Sequence, residues 1–302
     1  MTNPLDLRGP DFLAFYFIYG LGVFFLAWLA RVLWHWASPS PSPAGGRWSP
    51  GVYPSEGDAY AIALLRGGPQ EVAVAVLGRL VAEGFFFLEG DSLRRQPDQP
   101  DRSRLSRLEE EAYRALASST TGTSGIAPPA ALALVVKTLA PHLAGPRTEL
   151  ESAGLAPNAD QRKGYRAIGL TALLLVTGLG AAKLLVAWMR GRSNVGFLIL
   201  LLFASFFASL ALMKPPLQTV AGRRYLKWLQ ESHQGLVGMV SGGRRQGFGE
   251  LALVAGIFGL ETLPALAPLR QALIPPSSSS GGDSGGCGGG GGCGGGCGGC
   301  GG

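Results

Sequence analysis

Two apolar runs with almost nothing between them constrain this chain more than any other feature. Ala167 to Met189 reads AIGLTALLLVTGLGAAKLLVAWM, and Val195 to Met213 reads VGFLILLLFASFFASLALM. A bilayer core of about 30 Å is crossed by about 20 apolar residues of helix rising about 1.5 Å each. Each run is long enough, and the link Arg190-Gly191-Arg192-Ser193-Asn194 is too short for anything but a hairpin. Residues 164–214 therefore read as a transmembrane helical hairpin.

A third run, FLAFYFIYGLGVFFLAWLARVLW from Phe12 to Trp34, comes first in the chain. A cleaved signal peptide has a basic start, a shorter apolar stretch and a small-residue cleavage site. Here the short segment 1–11 carries Asp6, Arg8 and Asp11, and aromatics gather at both ends of the run: Phe12, Phe15 and Tyr16, then Trp28, Trp34 and Trp36. Such belts mark membrane interfaces, so residues 12–36 read as an uncleaved anchor helix. Arg31 and His35 near its end are expected to snorkel to the interface.

Composition agrees with a membrane protein. Charged residues make up only 15% of the 302, and mean hydropathy is +0.23. The net charge of +6 would suggest nucleic acid if the cations formed one patch. They sit instead beside the apolar runs, at Arg162, Lys163, Arg166, Arg190, Arg192, Lys214, Arg223, Arg224 and Lys227. The lipid bilayer is thus the expected partner and nucleic acid is not. Abundant Ala, Gly, Leu, Arg and Pro point to a GC-rich bacterial genome.

Residues 37–52 are a Pro/Ser/Gly linker. Beyond it, residues 53–163 read as a soluble helical domain. Asp58 is placed to cap a helix running to Arg66. Pro69 opens a second helix that Gly84 ends, with Val72, Val76, Leu77 and Leu80 as its apolar stripe. Phe85 to Arg95 reads as a hairpin turning at Glu89-Gly90-Asp91. Helix, turn, helix and hairpin is the order of a winged-helix unit. The second helix would offer Gln70, Glu71, Arg79 and Glu83, a face with an acidic lean that does not suit DNA. Helices over Arg102–Ala117 and Pro129–Leu143 follow, joined by a loop at Thr120–Gly125. His142 reads as a cation at a helix end. A short helix and connector from Pro146 through Leu155 to Lys163 leads into the membrane.

Lys183 is the one charge well inside the hairpin. It lies about 9 Å along the helix from Met189, within reach of the interface. Residues 215–274 read as juxtamembrane amphipathic helices. Pro215 and Pro216 stop the membrane helix, and Thr219 to His233 sets Leu226 and Leu229 beside Arg223, Arg224 and Lys227, a pattern that rests on anionic headgroups. In the stretch Phe248–Leu269, LALVAGIFGL between Glu250 and Glu261 covers only about 15 Å as helix. A fourth span would bury Glu261 near its middle, so a helix packed on protein or at the interface is expected. On one helix the two carboxylates would share a face about 16 Å apart, too far for paired-carboxylate chemistry.

The tail, 275–302, is Gly-rich and low in complexity, which predicts disorder. Cys287, Cys293, Cys297 and Cys300 are spaced C-x5-C-x3-C-x2-C. Three readings stay open: a tetrathiol that wraps a soft metal ion such as Cu(I) or Zn(II), a substrate for thiol modification, or a plain repeat expansion.

The order of parts resembles a family of uncharacterised bacterial membrane proteins in which a conserved region lies just before a Gly/Cys-rich tail. The residues that carry the resemblance are ALLRGGP (Ala63–Pro69), LVAEGF (Leu80–Phe85), GRSNVGFLILL, TVAGRRYLKWLQ and LALVAGIFGLETL. The chain departs from it at Gln218-Thr219-Val220-Ala221, where more basic residues would be expected. The resemblance implies the architecture and no activity.

The fold expected is an all-α membrane protein: three transmembrane helices, a small helical domain with one short hairpin, and the tail. Positive-inside counting sets Arg47, Arg162, Lys163, Arg166, Lys214, Arg223, Arg224 and Lys227 against Arg8, Arg190 and Arg192. This places the domain and tail in the cytoplasm of a bacterium, with the chain multi-pass in the inner membrane. The favoured function is a membrane-anchored interaction or sensing module. It would contact another protein through the helical domain and bind a soft metal, or accept thiol modification, through the tail. The alternative is a membrane-bound hydrolase with a site in 53–163. Against it, the chain has no G-x-S-x-G, H-E-x-x-H, P-loop or Gly-rich dinucleotide turn.

Overall fold

The computed structural model describes residues 9–37, 46–120, 125–189, 196–241 and 248–274. It is an all-α membrane protein with one small hairpin. Three helices are long and apolar enough to cross a bilayer: α1 (Gly9–Ala37), α7 (Ala159–Met189) and α8 (Gly196–Met213). Between α1 and α7 come α2 (Ala59–Gly67), α3 (Pro69–Ala82), strands β1 (Phe86–Glu89) and β2 (Ser92–Arg95), α4 (Arg107–Ser119), α5 (Pro128–Leu139) and α6 (Ala144–Ser152). After α8 come α9 (Val220–Ser232), α10 (Gln234–Ser241), α11 (Phe248–Ile257) and α12 (Ala267–Leu273).

In the membrane unit α7 is central and packs on both α1 and α8. Small residues allow the close approach, as is usual where no water drives helices together. A Cβ on Gly180 would lie 2.7 Å from Tyr16 Oη, and one on Gly169 would meet the Met213 backbone. Tyr16 donates to the Val176 carbonyl at 3.1 Å and lies 3.4 Å from Ser205 Oγ, so its hydroxyl is satisfied inside the bundle. Outward, Phe17, Ile18, Leu174, Leu200, Phe203 and Phe207 are all more than half exposed. A belt of that size calls for lipid to cover it. Lys183 is buried with its ammonium 4.5 Å from the centre of the Phe12 ring, a cation–π contact near one end of the bundle.

The second core is a helical domain wider than the expected 53–163, assembled from both sides of the membrane hairpin. Residues of α2 to α6 share one hydrophobic cluster with Tyr225, Leu226 and Leu229 of α9 and with Ala252 to Leu273. The hairpin is thus an insertion within the domain. Helix α3 runs through the middle of it, with Val72 to Gly78 and Leu80 all buried beneath α2, α5 and α11. The helix–turn–helix–hairpin order of the sequence reading is present. The helix expected to carry an exposed face shows only its ends to solvent.

Local chemistry explains the boundaries. Gly68 (φ 78°) separates α2 from α3, and Gly84 (φ 81°) ends the turn into β1. The hairpin pairs Phe86 with Arg95 and Glu89 with Ser92 and turns at Gly90, while Ile126 bridges to Leu93 on its other edge. Helix α4 starts five residues later than its apolar spacing suggested, because Ser106 and Glu109 form a capping box; Asp101 holds the preceding turn. Asp58 does not cap α2. It is buried and accepts from the Ser55 backbone and hydroxyl, both at 2.8 Å, and pairs with Arg47.

Two readings of 215–274 are corrected. The apolar side of α9 faces protein, since Tyr225 and Leu229 are buried in the domain core, while Arg223, Arg224, Lys227 and Glu231 face outward. Glu250 and Glu261 do not share a helix, because α11 ends at Ile257 and Gly259 (φ 98°) turns the chain. Glu261 pairs with Arg270 at 3.0 Å. Helix α11 packs on α2 and α3, where its all-round apolarity is met. Gly256 makes this contact close, for a Cβ there would strike the Ala59 carbonyl oxygen.

Candidate functional site

Where the ends of α1, α7 and α8 meet the domain, side chains from four elements converge. The long apolar run of α8 is stopped by Pro215 and Pro216, which have no amide hydrogen to return to the carbonyls one turn back. The Leu212 carbonyl would have bonded to residue 216 and is left without its helix partner. Arg31 of α1 supplies it: Nη1 donates to Leu212 O at 2.6 Å and Nη2 to Lys214 O at 2.7 Å. The guanidinium lies 5.3 Å from the centre of the Tyr165 ring on α7.

One turn on, His35 bridges α7 and α9. Its Nδ1 lies 2.8 Å from Tyr165 Oη, and its Nε2 2.6 Å from Arg223 Nη2. A guanidinium only donates, so Nε2 is the acceptor and the ring proton is on Nδ1, given to the tyrosine oxygen. Gln218 completes the junction by donating to the Leu65 and Arg66 carbonyls at the end of α2, at 2.9 and 3.1 Å. Thr219 then caps α9 by accepting from Gly222 N at 3.0 Å and donates to the Gly154 carbonyl at 2.6 Å.

Arg31, His35, Tyr165, Gln218 and Arg223 line a cleft of about 770 Å³, with Trp28, Val32, Trp36, Arg66, Pro216 and Leu217 as its other walls. Arg66 pairs with Glu71. Among the described residues neither Arg31 nor Arg223 forms an ion pair with a carboxylate, so the cleft has a positive balance. Cations and aromatic edges arranged in this way can receive an anion.

A second cluster is centred on a buried carboxylate. Glu109, fully buried, accepts from the Tyr60 hydroxyl, from Arg79 Nη1 at 2.9 Å and from the Ser106 amide at 2.7 Å. Arg79 Nε also donates to Glu83 at 2.7 Å. Burial, and then the Glu109 charge, push the Tyr60 phenol well above its ordinary value. For Arg79, burial alone would lower the pKa. The Glu83 hydrogen bond and the Glu109 charge outweigh it and the net shift is upward. Both carboxylates face Arg79, which is the arrangement of a structural lock.

Sequence reasoning placed Arg31 and His35 at the interface singly and missed that they meet Tyr165 and Arg223. Their i, i+4 spacing on one helix face was the available signal. It also missed Glu109 as a core residue, though the Ser106–Glu109 capping pattern was readable. His142 lies in the turn after α5, away from the cleft. Cys287, Cys293, Cys297 and Cys300 lie outside the described residues, as does the turn with Arg190 and Arg192. Among the described residues no group of three His, Cys, Asp or Glu is placed to hold a metal. Compared with known proteins, the chain matches no family model, no curated protein and no solved structure.

Proposed function

We propose that this chain is a membrane-anchored interaction or sensing module of the bacterial cytoplasmic membrane. Its helical domain and Cys-rich tail lie in the cytoplasm. The domain is the contact surface for another protein, and Cys287, Cys293, Cys297 and Cys300 bind a soft metal ion or are thiol-modified. The resemblance to bacterial membrane proteins ending in Gly/Cys-rich tails supports the architecture in this reading.

The observation that carries it is the way the domain is mounted. The α7–α8 hairpin is inserted in it, and Arg223 of α9 bonds it to His35 at the end of α1. A domain held at fixed height and orientation on the bilayer suits presentation to a partner. Residues on both sides of the hairpin share one core, so they lie on one face of the membrane, and residue 274 belongs to that core. The tail therefore begins on the domain side. The cations Arg47, Arg162, Lys163, Arg166, Lys214, Arg223, Arg224 and Lys227 gather there, which favours the cytoplasm.

A membrane-impermeant maleimide tests the orientation, because all four cysteines are in the tail. Labelling is expected only after cells are lysed. Labelling of intact cells would invert the protein and place the thiols in an oxidising compartment, which would end the thiol- and metal-sensing reading.

A further inference from the structure

The arginines of the helical domain are mostly paired: Arg47 with Asp58, Arg94 with Glu89, Arg114 with Glu110, Arg147 with Glu151 and Arg270 with Glu261. Arg95 and Arg102 are not. They bracket the segment that leads from β2 towards α4, and both guanidiniums settle on one ring. The Arg102 guanidinium carbon lies 4.8 Å, and that of Arg95 5.8 Å, from the centre of Tyr113. Cation–π contact and hydrogen bonds hold the arrangement, for Gln99 Oε1 accepts from the Tyr113 hydroxyl and, at 3.3 Å, from Arg95 Nη2. Both arginines are exposed, and among the described residues neither has a carboxylate within ion-pair distance. Asp101 is occupied by the amide and hydroxyl of Ser103, and Asp98 pairs with neither arginine. Gln99 Nε2 and Arg94 Nε are buried in the same stretch of chain without an acceptor among the described residues. Donors and positive charge are here in excess of what the protein supplies to meet them.

We propose that Arg95 and Arg102 form a docking point for an acidic segment of a partner protein, whose carboxylates the two guanidiniums bind. Two like charges gathered on one ring repel each other, and the carboxylates of a partner relieve that repulsion. A guanidinium presents a planar fork that matches a carboxylate through two parallel hydrogen bonds. Arg95 uses one of its N–H groups on Gln99, and Arg102 donates to no acceptor among the described residues. Tyr113 adds what a surface arginine ordinarily lacks. Its buried ring seats both side chains, so less rotamer freedom is left to lose when the partner binds. Arginine and tyrosine together are also the composition enriched where protein–protein contacts are strongest. The position suits a protein better than the bilayer. Helix α4 packs on α3 and α5, whereas the junction with the membrane helices is built by α9, Gln218 and the end of α2. This inference rests on the proposed role of the domain as a contact surface and names the chemistry of its partner.

The test uses the full chain in an uncharged mild detergent and a fluorescein-labelled oligoglutamate peptide, with binding followed by anisotropy at low ionic strength, where surface charges are least screened. The parent is expected to bind the peptide, and the double variant Arg95→Gln, Arg102→Gln to bind it about tenfold more weakly. The double variant Arg224→Gln, Lys227→Gln removes the same net charge from the exposed side of α9 and should stay within about twofold of the parent. Asp98→Asn removes an exposed carboxylate from the Arg95–Arg102 segment and should tighten binding about two- to threefold, a gain that misfolding does not imitate. Equal losses in the two double variants would overturn the assignment, because the peptide would then be reading net charge alone. An Arg95→Gln, Arg102→Gln variant that binds like the parent would overturn it as well. A parent that does not bind the peptide would overturn the acidic class of partner and leave the domain a contact surface through another face. Tighter binding of a single-stranded oligonucleotide than of the peptide, lost in the same double variant, would overturn the protein partner in favour of nucleic acid.

Discussion

Replacing Arg79 by Met would strip the buried lock of its cation while keeping much of the volume. Arg79 is 13% exposed, and it neutralises Glu109, fully buried, and Glu83, 5% exposed. After the change Glu109 keeps the Tyr60 hydroxyl and the Ser106 amide as donors, but two carboxylates remain in the interior with no opposing charge. Breaking a buried pair by removing one partner costs about 3–5 kcal/mol, because the surviving charge has lost its water and its counter-ion. In a folded unit of 150–250 residues each kcal/mol moves the midpoint by about 2–4 °C, so a fall of roughly 6–20 °C is expected. The assay is thermal unfolding of the detergent-solubilised full chain by tryptophan fluorescence, with Trp48 buried in the same core as the reporter. The triple variant Arg79→Met, Glu83→Gln, Glu109→Gln removes all three charges and leaves polar acceptors, and it should recover a large part of the loss. A single variant that melts within about 2 °C of the parent would refute the buried-charge reasoning. A triple variant no better than the single would refute it too, pointing to packing in place of charge.

Two other outcomes follow from the packing. Gly256→Ala drives a methyl into the Ala59 carbonyl, backbone against backbone, so α11 must back away from α2; overpacking of this kind costs about 1–3 kcal/mol, and an unmoved midpoint would show that the helices are not in close contact. Tyr225 and Tyr60 make stability fall at alkaline pH: burial raises the Tyr225 phenol to about 12 and also holds the Tyr60 phenol well above its ordinary value, while an unfolded phenol ionises near about 10, so the stabilisation is full below about pH 10 and is lost as pH rises through the folded values. The Tyr225 hydroxyl is buried without a hydrogen-bond partner, so Tyr225→Phe should flatten that decline and leave neutral stability equal or slightly higher; a large loss at pH 7 would mean the hydroxyl is bonded after all.

The membrane helices were legible because a bilayer imposes a length and a composition that few other environments demand, and runs such as Val195–Met213 answer only to it. Pro69, Gly84 and Gly90 likewise announced their turns through backbone chemistry that is local. What sequence spacing did not convey was long-range partnership. The apolar face of α9 looks the same whether lipid or protein covers it, and the choice was made by α2 and Leu155, far away in the chain. Segment 251–260 is apolar all round, which reads equally as half a membrane span or as a helix sunk in a core. The cleft was least legible, since Arg31, His35, Tyr165 and Arg223 are spread over nearly two hundred residues and each has an ordinary interfacial role by itself.

The membrane hairpin interrupts the domain it carries, and this sets an order of events during synthesis. Helices α2 to α6 leave the ribosome first, with α3 lacking the helix that covers one of its sides. Helices α7 and α8 must then enter the bilayer as a pair, and only afterwards does α11 arrive to close over α3 and Ala59. A chain whose hairpin inserts only once would deliver α9 to α12 to the opposite side of the membrane, with the apolar flank of α3 left bare. Completion of the soluble domain is thus a built-in report that both membrane helices went in, and a protease or chaperone that recognises exposed apolar surface can read it.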